Sequence, residues 1–189
     1  MAEKKFMLQI LTYDPVKTRR IVINEYNEKE LLKQCQQGEM SAYKNLYERH
    51  STMLYSVAIR MLGTKEDAKD TLQNCFIRLY RSSGQFKYES KFSSYLVKIL
   101  INCCYDVLSK RKNVYEIRTD EPVDGQNQDW SLTLESAIQM LPLKMRECFI
   151  LFAVEGFKQQ EIAEMMEISE GAVKAHVFQA KKKLRQILR

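Results

Sequence analysis

Apolar residues recur at helical spacing from Glu28 almost to the end of the chain, and the breaks between the runs fall on glycine or proline. The spacing predicts helices over residues 28–37, 39–62, 65–82, 92–111, 132–140, 143–155, 159–167 and 170–188. Gly38, Gly63, Gly84 and Gly156 each follow such a run. A helix commonly ends on a left-handed residue there, and glycine adopts it without strain. Pro142 stands just ahead of another start, near the first-turn position that tolerates proline. Thr64 and Asp67 have the spacing of a capping box for the third helix. No alternating pattern competes after residue 26, so the expected class is all-α.

Three of these segments have faces worth separating. In 65–82, Ala68, Leu72, Cys75, Phe76 and Leu79 share one side, while Asp70, Gln73, Asn74, Ile77 and Arg81 lie around the other. In 92–111, Leu96, Ile99, Leu100, Cys103 and Val107 make a broad apolar stripe, and Lys98, Asn102, Asp106 and Lys110 fall elsewhere. That helix ends in Lys110-Arg111-Lys112, which suits the negative end of a helix dipole as well as it suits a phosphate. The stretch 159–184 is the most specific. Ile162, Ala163, Met165 and Met166 are near a helical period, Ile168 to Gly171 interrupt it, and Val173, Val177, Ala180 and Leu184 resume it. Two short helices joined by a tight turn, with small Ala163 where the second must cross, predict a helix-turn-helix. With Val173, Val177 and Ala180 turned inward, Lys174, Ala175, Phe178, Lys181 and Lys182 are left on a face shaped for a major groove.

The ends of the long helical region are different. Residues 1–26 contain two short apolar or β-branched runs split by Asp14-Pro15, readable as a hairpin or as an unstructured extension. Between Asn113 and Glu135 there are six carboxylates, one arginine, Pro122 and Gly125, and little periodicity. We read 113–131 as a flexible acidic linker between two small helical domains, 27–112 and 132–189. About 18 extended residues at roughly 3.3 to 3.6 Å each span on the order of 60 Å. That reach exceeds a turn and a half of duplex at about 34 Å per turn, enough for the domains to touch separate DNA sites.

Composition sharpens this picture in three ways. The chain has 189 residues and a formal net charge of +6, compatible with an anionic partner without requiring one. From Gly171 to Arg189 there are six Lys or Arg and no carboxylate, the pattern of a helix that neutralises phosphates. The five cysteines form no C-x-x-C pair, so neither zinc nor a disulfide framework is indicated, and they read as small core residues of a cytoplasmic protein. The run Phe6 to Leu11 after Lys4-Lys5 imitates a signal peptide but ends in Tyr13-Asp14-Pro15, and export is not expected. Two histidines and the lack of a glycine-rich phosphate loop argue against an enzyme or a cofactor.

Taken together the segments resemble the extracytoplasmic-function (group 4) sigma factors of bacterial RNA polymerase. Asp70-Thr71-Leu72-Gln73-Asn74-Cys75-Phe76-Ile77-Arg78-Leu79-Tyr80 follows that family's region 2.2 pattern. Phe92, Tyr95, Leu96, Ile99, Leu100, Asn102 and Asp106 follow the next motif. Leu141-Pro142, Arg146, Leu151, Glu155-Gly156, Glu161 to Glu164, Ile168-Ser169, Gly171 and Val173-Lys174 follow that of region 4. The chain departs from the family at Thr71, Asn74, Tyr80, Tyr95, Ser109, His176 and Gln179.

The resemblance implies roles for the matched positions. Asp70, Gln73, Asn74, Phe76 and Ile77 would meet core RNA polymerase, at the β′ clamp, with β as a further contact. Phe86, Tyr88, Lys98, Asn102, Lys110 and Arg111 would hold the minus-10 element, the aromatics by stacking and Asn102 at a base edge. Ser169, Lys174, Ala175, Phe178, Gln179 and Lys182 would meet the minus-35 element. An anti-sigma factor would cover these faces until a signal arrives. A LuxR-like regulator is the competing assignment, since Val173-Lys174-x-His176 also resembles its recognition helix; it predicts a dimer and leaves the Asp70 to Tyr80 pattern unexplained.

Overall fold

The computed structural model describes residues 25–82, 91–117 and 134–188, which form helices and no strand. The helices are α1 (Glu25–Gln36), α2 (Met40–Leu62), α3 (Lys65–Ser82), α4 (Phe92–Ile117), α5 (Leu134–Gln139), α6 (Leu143–Phe149), α7 (Gln159–Met166) and α8 (Glu170–Ile187). Apart from Glu25 and Tyr26, which open α1, the expected N-terminal extension lies outside the described residues, as do Gly84, residues 118–131 of the expected linker and residues 132–133 after it. α4 continues to Ile117 rather than stopping at Arg111. Neither glycine nor proline occurs between Lys110 and Pro122 to stop it. α6 ends earlier than expected, in a π-helical turn over Ile150–Val154.

The first half is built on α2. Ala42, Tyr43, Leu46, Leu54, Val57, Ala58 and Met61 are buried along it, and α1, α3 and α4 all pack on it. Its length of about 34 Å follows from a 1.5 Å rise per residue. The predicted inner face of α3 is buried as expected, with Phe76 tilted against Tyr47 at 4.6 Å between ring centres. On α4 the burial is wider than the predicted stripe. Val97, Ile101 and Cys104 are covered as well, because α4 is packed both on the first half and on α7. A buried pair, His50 Nε2 and Glu28 Oε1 at 2.8 Å, ties α1 to α2.

In the second half α6 and α7 pack on α8, and the buried residues of α8 are Val173, Val177, Ala180 and Leu184, the predicted set. Gly38, Gly63 and Gly156 have φ of +86°, +85° and +77°, the left-handed ends expected of them. The buried residues of the two halves form one apolar cluster.

The C-terminal end of α2 shows why the halves meet there. Its last carbonyls have no partner within the helix and carry the negative end of its dipole. Gln139 Nε2 donates to Ile59 O and to Arg60 O, at 3.3 and 2.5 Å. Arg146 donates to Met61 O at 2.9 Å, and Arg111 donates to Leu62 O at 2.9 Å. Two residues of the second half thus close the helix on which the first half is built.

Candidate nucleic-acid interface

The helix-turn-helix is assembled by local chemistry at its turn. Glu167 ends α7 with φ +56°, and Ile168 N–H reaches back to Ala163 O at 3.1 Å. Ser169 then caps α8, its Oγ accepting from Ala172 N–H at 3.1 Å, which satisfies a donor that the helix itself leaves open. α8 buries its apolar stripe and presents Lys174, Ala175, Phe178, Gln179 and Lys182, all exposed. Phe178 is 65 % exposed, the most exposed aromatic among the described residues. Lys174 lies 3.1 Å from Glu170 in a half-exposed pair, and Lys181 sits 5.3 Å from the centre of the Phe152 ring. Of the six predicted minus-35 residues, Ser169 has its side-chain oxygen occupied as a cap, and the other five form one continuous face.

The second predicted surface lies on α4. Asn102 and Lys110 are exposed, and Lys98 is half-buried with Nζ 2.7 Å from Glu167 Oε1. The lysine holds that carboxyl below the usual carboxylate range by its hydrogen bond and its charge. Arg111 turns inward as a clamp. It bonds Leu62 O, Thr64 Oγ1 and the Asp67 carboxylate, all around the α2–α3 turn. The Thr64 hydroxyl, donating at 2.6 Å, and the Arg111 guanidinium together lower the Asp67 carboxyl below its ordinary range. The expected cap at Thr64 is present in its backbone half, Asp67 N–H donating to Thr64 Oγ1 at 3.4 Å, and the Asp67 carboxylate accepts from the same hydroxyl. Phe86 and Tyr88 lie outside the described residues.

On α3, Asp70 and Asn74 are exposed while Gln73 and Ile77 are partly covered, so these four share an accessible face. Phe76 is not on it. The ring is 1 % exposed in the core between α2 and α3, so it holds the helix and leaves no surface to a partner. Thr71, where the family pattern has an aliphatic residue, is fully buried, and its hydroxyl finds no partner among the described residues.

These surfaces coincide with known family models. Residues 46–114 match Sigma-70 region 2, and residues 131–184 match Sigma-70, region 4. The RNA polymerase sigma factor CarQ of Myxococcus xanthus is 30 % identical over 159 residues, covering 80 % of this chain and 91 % of its own. The chain belongs to the RNA polymerase sigma factors. The ECF RNA polymerase sigma factor SigM of Mycobacterium tuberculosis, 28 % identical over 173 residues, covers 87 % of this chain and 86 % of its own, and places the sigma factor in the ECF group. The sigma factor RpoE of Bartonella quintana, solved in complex with the anti-sigma factor NepR, shares the fold at 22 % identity and a TM-score of 0.68, over 77 % of this chain and 96 % of that one. The region 2 match accounts for the Asp70 to Tyr80 pattern that a LuxR-like regulator leaves unexplained.

What the sequence reading of this sigma factor missed is the surface where its two halves meet. Tyr105 on α4 donates to Glu147 Oε2 on α6 at 2.5 Å, and Lys144 approaches the same oxygen at 3.4 Å while lying over the Tyr105 ring. Glu147 is 1 % exposed. Burial pushes its carboxyl above the usual range and raises the Tyr105 phenol to about 12. Ser56 donates to Glu155 at 2.5 Å, and Lys91 lies 3.0 Å from Glu161. Arg146 stands in the region 4 motif and Glu147 is a charge beside an apolar run, and neither signal says which other helix receives them. Among the described residues no helix is long and apolar enough to cross a membrane, and no cluster of three or more His, Cys, Asp or Glu is placed to hold a metal.

Proposed function

We propose that this sigma factor binds core RNA polymerase through the outer face of α3, with Asp70, Gln73, Asn74 and Ile77 in contact and Phe76 fixing the helix from behind. Residues 27–112 and 132–189 act as the two promoter-binding domains, joined by 113–131, with 1–26 as an extension. Lys98, Asn102, Lys110 and Arg111, together with Phe86 and Tyr88, hold the minus-10 strand. Arg111 reaches a phosphate only by exchanging its clamp on Asp67, so its contribution there is secondary to that of Lys98 and Asn102.

Lys174, Ala175, Phe178, Gln179 and Lys182 read the minus-35 element, and Ser169 positions them by capping α8. The observation that carries this reading is Phe178, an aromatic left in water between lysines on the second helix of a helix-turn-helix. Such a ring is well suited to a thymine methyl, and lysine and glutamine beside it to guanine and adenine edges. Capturing flipped bases at minus-10 would offset an unstacking cost of a few kcal/mol per step. The role requires no catalytic group, no cofactor and no small-molecule substrate, and we place it in the cytoplasm. An anti-sigma factor is the regulator we propose, a protein of the class that NepR represents for the Bartonella quintana sigma factor.

Two substitutions test the assignment. Asp70→Arg should abolish co-elution with core polymerase on size exclusion while circular dichroism stays helical. Phe178→Ala should keep co-elution and reduce discrimination between promoter and random duplex by about 1 kcal/mol, roughly fivefold. Co-elution retained by Asp70→Arg would refute the polymerase face, and discrimination unchanged by Phe178→Ala would refute the minus-35 face.

A further inference from the structure

Helix α4 carries Lys98 and Asn102, and α2 holds it at two points. Near its far end Arg111 donates to Leu62 O. At its start the contact is between rings. Phe92, the first residue of α4, is buried, and it meets His50 in a T-shaped pair, 5.5 Å between ring centres with the planes 76° apart. That arrangement is directional, because the positive edge of one ring seeks the negative face of the other.

His50 is itself fixed from a third helix. It is 1 % exposed, and its Nε2 donates to Glu28 Oε1 of α1 at 2.8 Å. Its Nδ1 is buried with no hydrogen-bond partner among the described residues. An apolar side chain would fill the same place without an orphan nitrogen, so burial alone gives no reason for a histidine here. The ring supplies what an aliphatic side chain lacks, a donor that Glu28 locks and an aromatic partner for Phe92.

We propose that His50 is a positioning residue for minus-10 capture: held by Glu28, it sets the start of α4 through Phe92, and with it the placement of Lys98 and Asn102 against the strand. The proposal rests on the reading of those two residues as DNA-facing.

At 1.5 Å per residue, Lys98 and Asn102 lie about 9 and 15 Å along the helix from Phe92. A helix that turns or slides at its start carries both with it. Tyr95, one turn on, adds to the mount. Its ring centre lies 6.4 Å from that of Phe92, and its hydroxyl is 3.0 Å from that of Ser82, the last residue of α3. The first turn of α4 is thus set by contacts that run back to α1, α2 and α3. Binding groups need to be held within roughly 0.5 Å of their productive place, and locked supporting side chains do that without touching the ligand.

The experiment uses holoenzyme assembled with core polymerase and measures two affinities by fluorescence anisotropy. One probe is a single-stranded minus-10 oligonucleotide from a promoter that the holoenzyme transcribes, the other a duplex carrying the minus-35 element of that promoter. His50→Gln keeps an N–H for Glu28 and removes the ring. It should leave co-elution with core and the duplex affinity unchanged, and weaken the oligonucleotide about fivefold, the low end of what one base contact is worth. Phe92→Leu fills the core without a ring and should weaken it alike. The double variant should be no weaker than either single one, because all three remove the same contact. Glu28→Gln retains an oxygen for Nε2–H and should bind as wild type, whereas Glu28→Ala should lose as His50→Gln does. If His50→Gln does not fold by circular dichroism, Phe92→Leu and Glu28→Ala carry the same test.

Lys98→Glu is the control and should weaken the oligonucleotide by itself. Full affinity in His50→Gln beside a weakened Lys98→Glu would overturn the positioning role. So would losses that multiply in the double variant, or co-elution and duplex affinity that fall in step with the oligonucleotide, the mark of general destabilisation. A Lys98→Glu holoenzyme that binds the oligonucleotide as wild type would overturn the DNA-facing reading of α4, and the proposal with it.

Discussion

Thr71 shows how a single side chain departs from the logic of its surroundings. Its neighbours on the inner face of α3 are apolar, its methyl packs among them, and its hydroxyl is buried with no partner among the described residues. An unmade hydrogen bond in the interior costs about 1–3 kcal/mol, more than a satisfied one contributes. Replacing it by valine keeps the shape and removes the polar atom. Thr71→Val is therefore expected to stabilise the sigma factor by about 1 kcal/mol and to raise its melting temperature by about 2–4 °C, measured by thermal circular dichroism. An unchanged or lowered melting temperature would mean that the hydroxyl has a partner in solution. Arg111 departs in the other direction. Its sequence position at a basic helix end suits a phosphate, yet its guanidinium is engaged on Leu62, Thr64 and Asp67, where it holds the α2–α3 turn together.

At the scale of elements, the end of α2 is the junction on which both halves depend. Gly63 closes it in a left-handed conformation, its N–H bonded to Ile59 O at 2.9 Å. A Cβ placed there would lie 3.2 Å from Gln139 Oε1, the side chain whose amide donates to Ile59 and Arg60. Gly63→Ala thus meets two penalties, positive φ for a residue with a Cβ and crowding of the Gln139 bridge. We expect a loss of about 1–2 kcal/mol by urea denaturation. The same change at Gly38, whose added Cβ would meet nothing within 4 Å, should cost only the backbone part. Equal losses at both sites would show that the Gln139 bridge contributes nothing.

For the molecule as a whole, the two family regions share one apolar cluster and are bridged at Ser56–Glu155, Tyr105–Glu147 and Arg146–Met61. Cooperative units are set by shared burial rather than by the boundaries of sequence families. Calorimetry of the free chain is accordingly expected to show one unfolding transition. Two resolved transitions in the wild type would mean that the halves unfold separately despite the shared core.

The sequence by itself determined the helices, because periodicity and glycine stops are local properties. It determined the inner faces of α3 and α8, down to Val173, Val177, Ala180 and Leu184, because one stripe on a helix can face only one core. It also carried the family, through motifs whose residues lie close together along the chain. It placed the cations of α4 and α8 on helices but not what they touch. Only the tertiary structure decided that Lys98 faces Glu167, that Arg111 closes a turn, that Phe76 lies under its helix rather than on it, and that Glu147 is buried against Tyr105. The reason is physical: a charge or an aromatic ring is compatible with solvent, with a partner and with a neighbouring helix, and residues 42 positions apart, as Tyr105 and Glu147 are, leave no periodic trace of their meeting.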